Sequence, residues 1–127
     1  MTTLIERLEE VEAGSRELDA EIFTTFDDVD AWENEAQLGT YESPKYDAVA
    51  MRPPTYTTRP YDLTAAMGLV PEGWRIIRVE FSASGHRTYM HLGKIGTLDT
   101  VLGIGSSMSL ALTAAALRAK EIEDEQG

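Results

Sequence analysis

Trp74-Arg75-Ile76-Ile77-Arg78-Val79-Glu80-Phe81-Ser82, then Ser84-Gly85, then Thr88-Tyr89-Met90-His91-Leu92, is the stretch on which the fold turns. It is rich in β-branched and aromatic residues, the types that fit a pleated, half-buried surface. A period of two puts Trp74, Ile76, Arg78, Glu80 and Ser82 on one face, and Arg75, Ile77, Val79, Phe81 and Ala83 mainly on the other. Ser84-Gly85 supplies a hairpin turn, so residues 74–82 and 88–92 are predicted to pair as antiparallel strands. A third short strand is expected around Leu98–Ile104. Upstream, Val70-Pro71-Glu72-Gly73 reads as a turn. Before it, Tyr61–Leu69 reads as a short helix entered at Pro60, with Leu63, Ala66, Met67 and Val70 on one side. Downstream, a helix is predicted over Ser107–Glu123, capped by Ser106 or Ser107. Met108, Leu112, Ala115 and Ile122 share one face of it, with Leu110, Ala114 and Leu117 beside them. Its alanines allow close approach to a sheet.

The N-terminal third is of a different kind. Leu4, Leu8 and Val11 repeat at helical intervals among Glu6, Arg7, Glu9, Glu10 and Glu12, which predicts a helix over residues 3–13. Gly14 can close it in a left-handed conformation, and Ser15 can cap a second helix carrying the stripe Leu18, Ile22, Phe26. The expected pair is a helical hairpin whose apolar faces need a surface to pack on. Residues 27–59 are long and irregular, with Asp27, Asp28 and Asp30 followed by Trp32, Tyr41, Tyr46, Pro53-Pro54 and Tyr56. Such a length is uncommon in compact domains. Its aromatics suggest a segment pinned across the surface. The whole chain, 1–127, is expected to be one domain: N-terminal helices 1–26, an acidic and aromatic loop region 27–59, and a helix–strands–helix module 60–124.

Composition narrows the function. The 127 residues suit one domain with a modest core, and an apolar fraction of 43% argues against wholesale disorder. The absence of cysteine excludes disulfide scaffolds, cysteine-type zinc sites, iron–sulfur clusters and thiol catalysis. A net charge of −11 argues against direct nucleic-acid binding, which rests on Lys and Arg neutralising phosphates. The charge is uneven, however. Residues 1–50 hold 14 acids against 3 bases, whereas residues 51–120 carry a net charge of +4. A basic patch on the central module is therefore compatible with the acidic total. The uncharged run Thr100–Leu117 reaches the minimum length of a membrane span, but Gly103, Gly105, Ser106, Ser107, Ser109 and Thr113 dilute it, and a buried strand, turn and helix explain it better. The N-terminus enters an amphipathic acidic pattern directly, unlike a signal peptide.

No group of residues stands out as catalytic machinery. His86 falls in the hairpin turn and His91 on a strand; their spacing does not join them, and no third ligand lies at a metal-site distance. Asp28 and Asp30 begin like a calcium loop, but Trp32 stands where a third ligand should be. Gly103-Ile104-Gly105-Ser106-Ser107-Met108 lacks the third glycine of a dinucleotide fingerprint and the lysine of a P-loop. Ser109 has no assigned base. No catalytic, cofactor-binding or metal-ligating residue is assigned, and no cofactor is expected.

Four blocks together resemble the phage ABA sandwich domain family of small phage- and prophage-encoded proteins: residues 4–9 with 16–22; Pro53-Pro54-Thr55-Tyr56-Thr57-Thr58; Leu69-Val70-Pro71-Glu72-Gly73-Trp74; and residues 109–119, from Ser109 to Ala119. The resemblance implies an α+β fold, an α–β–α sandwich with a small antiparallel sheet of two to three strands between helices. It also implies a phage or prophage origin and residence in the cytoplasm of the bacterial host. It carries no catalytic residues over. The resulting expectation is a soluble accessory protein that acts by binding another protein. An acidic DNA mimic that blocks a host nucleic-acid-binding protein is one alternative, and a small-molecule-binding or enzymatic domain is another. A homodimer, formed through an exposed strand edge or the apolar face of the first helix, is the favoured oligomeric state.

Overall fold

The computed structural model describes residues 3–26, 30–31, 41–42, 50–51, 56–60 and 62–126. In chain order these form α1 (Leu4–Glu10), α2 (Arg16–Phe26), β1 (Asp30–Ala31), β2 (Tyr41–Glu42), β3 (Ala50–Met51), α3 (Thr64–Met67), β4 (Trp74–Phe81), β5 (Thr88–Lys94), β6 (Thr100–Gly105) and α4 (Met108–Gln126). The class is α+β, as expected: antiparallel three-stranded sheets, β1-β2-β3 and β4-β5-β6, with helices flanking.

The predicted hairpin forms. The Gly73 turn (φ +89°) leads into β4, and Gly85 (φ +76°) turns the chain into β5. Both positions need the left-handed backbone that glycine adopts without a steric penalty. β6 then adds to the free side of β5, with Thr88 opposite Gly105 and Gly93 opposite Thr100.

One expectation about β4 fails. Strict alternation would put Ile77, Val79 and Phe81 on one face. Instead the register slips between Ile76, opposite Leu92, and Arg78, opposite His91. Ile77 is the extra residue of a bulge, and a bulge inverts the face of everything after it. Val79 therefore joins Trp74 and Ile76 in the core, while Ile77 turns to the other face, where its side chain covers Gly93.

α4 organises the interior. Ser107, rather than Ser106, caps it, its Oγ accepting from the Leu110 N–H at 3.2 Å. One side of the helix, with Leu112, Ala115, Ala119 and Ile122, packs on Trp74, Met90, Leu92 and Val101 of the sheet. The other, with Leu110, Ala114 and Leu117, packs on Ile5, Leu8, Leu18, Ile22 and Tyr56. α1 thus finds its surface mainly on α4, and α2 joins the same cluster through Leu18 and Ile22. Each fully buried leucine is worth about 2 kcal/mol of burial. The close approach foreseen from the alanines is made possible by two glycines of β6. A Cβ on Gly103 would stand 2.1 Å from the Ala111 carbonyl oxygen, and one on Gly105 would stand 2.6 Å from the Ala111 nitrogen. This packing accounts for the glycines of the 103–108 segment without a phosphate.

Three smaller expectations are also corrected. α1 ends at Glu10, short of residue 13, and Gly14 is absent from the left-handed glycines. Gly14 is needed for space instead: a Cβ there would fall 1.9 Å from the Thr57 carbonyl oxygen. The helix expected over 61–69 shrinks to four residues, and Met67, assigned to its inner side, is exposed. Ser15 does cap α2, its Oγ accepting from the Leu18 N–H at 3.1 Å. The buried carboxylate of Asp19 then gathers the Thr57 N–H and hydroxyl, both at 2.7 Å, and the Thr58 hydroxyl at 2.9 Å. That network fastens residues 56–58 beneath α2.

Candidate functional site

The two edges of the β4-β5-β6 sheet differ in a way that locates the surface of interest. In an antiparallel ladder, alternate residues bond to one neighbour and point their backbone groups the other way. On β6 the residues pointing away from β5 are Thr100, Leu102 and Ile104, and the last two are engaged. The Ile104 N–H donates to Glu9 Oε2 at 3.0 Å, and Arg118 Nη1 donates to the Leu102 carbonyl at 2.6 Å. Glu9 and Arg118 pair with each other, Nη2 to Oε1 at 2.6 Å. Bonding to Glu9 holds the Arg118 guanidinium above its usual range, against the opposing effect of burial. α1 and α4 together close that edge.

β4 is the opposite case. Ser82 donates its N–H to the Arg87 carbonyl at 3.0 Å, so Ser82, Glu80 and Arg78 bond towards β5. The backbone groups of Val79 and Phe81 face outwards, and among the described residues nothing bonds to them. Beside this open edge lie two large apolar side chains, Ile77 at 50% and Phe81 at 61% exposure. The charged side chains between them, on the face turned away from α4, form a small cluster. One oxygen of Glu80, Oε1, takes Arg78 Nε at 3.0 Å and lies 2.9 Å from His91 Nε2. The carboxylate fixes the imidazole and the guanidinium in place. Tyr89, opposite Glu80, completes this surface.

The residues singled out from sequence are scattered. His91 belongs to this cluster. His86 is exposed in the β4–β5 turn, over a polar cleft of about 450 Å³ that it shares with Glu10, Glu12, Arg87 and Ser106. Ser109 is buried and spends its hydroxyl on Ser107 Oγ at 3.2 Å and on the Thr57 carbonyl at 3.5 Å. Asp28 lies outside the described residues, and Asp30 begins β1. Among the described residues no group of three or more His, Asp or Glu side chains could hold a metal ion, and no helix is long and apolar enough to cross a membrane. The acidic surface is also thinner than composition suggests, because Glu9, Asp19 and Glu21 are engaged by Arg118, by Arg16 with the two threonines, and by Arg7.

Sequence reasoning missed the bulge and the contrast between edges. The bulge had a signal: with Ile77 set aside, residues 74–81 alternate apolar and polar without a break. The closure of β6 had none, since Glu9 and Arg118 stand 109 positions apart. No family model, no curated protein and no solved structure matches this chain.

Proposed function

We propose that this chain is a protein-binding accessory module that engages its partner through the β4 side of the sheet. The observation that carries the proposal is the pairing of an open strand edge with two exposed apolar side chains, Ile77 and Phe81, on a sheet whose other edge is closed by its own helices. An unpaired edge offers backbone donors and acceptors for strand addition, and neighbouring apolar side chains supply the area that backbone bonds alone lack. The ionisable groups there serve recognition: Glu80 holds Arg78 and His91 in a fixed arrangement. The resemblance to the phage ABA sandwich family supplies the setting, a phage or prophage protein working in the cytoplasm of a bacterial host.

The test is site-specific photo-crosslinking in cells. A photoreactive phenylalanine analogue at Phe81 is expected to give a discrete protein adduct, whereas the same group at Glu121, exposed on α4, gives none. Equal or absent adducts at the two positions would refute the proposal.

A further inference from the structure

We infer that the partner of the β4 edge is a second copy of this chain, the two β4 strands pairing antiparallel about a two-fold axis through Val79. This rests on the proposal that β4 is a binding edge and goes on to name what it binds. A two-fold antiparallel pair must be centred on one residue, and each centre dictates which side chains face each other. Centring on Arg78 sets two guanidinium groups face to face, and centring on Glu80 does the same with two carboxylates. Like charges directly opposite are unfavourable. Centring on Phe81 pairs Val79 with Ala83 and Arg78 with Ser84, which already belong to the turn beyond β4.

The Val79 centre has none of these faults. The outward N–H and carbonyl of each Val79 meet those of its counterpart as a hydrogen-bonded pair. Arg78 of each chain faces Glu80 of the other, twice over, as non-hydrogen-bonded neighbours whose side chains approach most closely. The intramolecular Arg78–Glu80 pair, at 3.0 Å, becomes half of a neutral four-charge cluster. At the ends of the paired stretch stand Ile77 and Phe81, the exposed apolar residues of this edge, which the second chain covers in part. The bulge at Ile77 stops the pairing from running further, so the contact is short and the dimer is of the weak, reversible kind.

The experiment is sedimentation velocity over a concentration series at about 0.15 M salt, where repulsion between two acidic chains is screened beyond roughly 8 Å. The unaltered chain is expected to show a reversible monomer–dimer equilibrium. Arg78→Glu and Glu80→Arg should each weaken it at least about tenfold, since either places two like-charged pairs in the interface. Mixing the two variants should restore association as a heterodimer, because every facing pair is again of opposite sign. The double variant Arg78→Glu/Glu80→Arg should self-associate like the unaltered chain. Restoration on mixing also shows that the single variants are folded. A chain that stays monomeric to about 500 µM, a range in which even weak contacts populate a dimer, overturns the inference. So does a dimer indifferent to the single charge changes, or a mixture that forms no heterodimer. A monomeric chain that still yields an adduct of different mass at Phe81 would remove the self-pairing while leaving the binding edge intact.

Discussion

The two outer strands of one small sheet, β4 and β6, face the same physical problem and meet it differently. Each presents backbone groups with no strand beside them among the described residues. On β6 the problem is solved from within: Glu9 of α1 and Arg118 of α4 bond to Ile104 and Leu102 and to each other, and Glu9 is reduced to 16% side-chain exposure. On β4 none of the described residues bonds to the backbone of Val79 and Phe81, and a bulge and alternating charges limit what can pair with it. An edge that is sealed serves stability. An edge that is merely restricted selects its partner.

The sealed side should prove the more fragile. Gly103→Ala drives a Cβ into the backbone of α4, so it is expected to cost about 3 kcal/mol or more in urea unfolding, at the upper end of overpacking penalties. Next in size is Glu9→Ala. It strips Arg118 of its carboxylate and leaves the Ile104 N–H without a partner. Because the pair is only partly buried, the expected loss is about 2 kcal/mol, below the range for fully buried pairs. The same variant should form aggregates on concentration that the unaltered chain does not, since a second edge has been opened.

Two smaller effects address the open side and the sheet's attachment. A Cβ at Gly93 would lie 3.2 Å from Ile77 Cδ1, so Gly93→Ala should cost about 1 kcal/mol. Adding Ile77→Ala should recover much of that. Simple additivity in the double-mutant cycle would contradict the packing of the bulge described here. Finally, Glu123 Oε1 accepts from Trp74 Nε1 at 2.7 Å and from Lys94 Nζ at 2.8 Å. The bond from Lys94, then that from Trp74, lowers the Glu123 pKa below its ordinary value of 4.5. A carboxylate depressed in the folded state contributes stability above its unfolded pKa and loses it as pH falls through the folded one. Stability should therefore decline on acidification below about pH 4.5, and Glu123→Gln should flatten that limb. Trp74 fluorescence, read in a Trp32→Phe background, reports the same transition.

Much of this fold was legible because its signals are local. The turn glycines at 73 and 85, the β-rich runs on either side, the serine caps and the two apolar faces of α4 are all written within a few residues of where they act. The face assignment of β4 failed on a single residue. Ile76-Ile77 looks like ordinary β-rich sequence until the alternation on each side is compared. What could not be read were agreements between distant positions: Glu9 with Arg118, Asp19 with Thr57, and the room Gly14 makes for Thr57. The candidate site was less legible still. His91 attracts notice as a histidine, yet its place depends on Glu80, and the openness of β4 has meaning only beside the closure of β6.

The bond network of Asp19 with Thr57 and Thr58 has a consequence for how this chain can vary. It joins two points 38 residues apart, so the loop between them is closed by buried hydrogen bonds as well as by the chain itself. Entropy charges such a loop by the logarithm of its length, about 0.6 kcal/mol for each doubling. Closure entropy alone is thus a weak constraint on the number of residues between Ile22 and Tyr56, the core positions that flank this stretch.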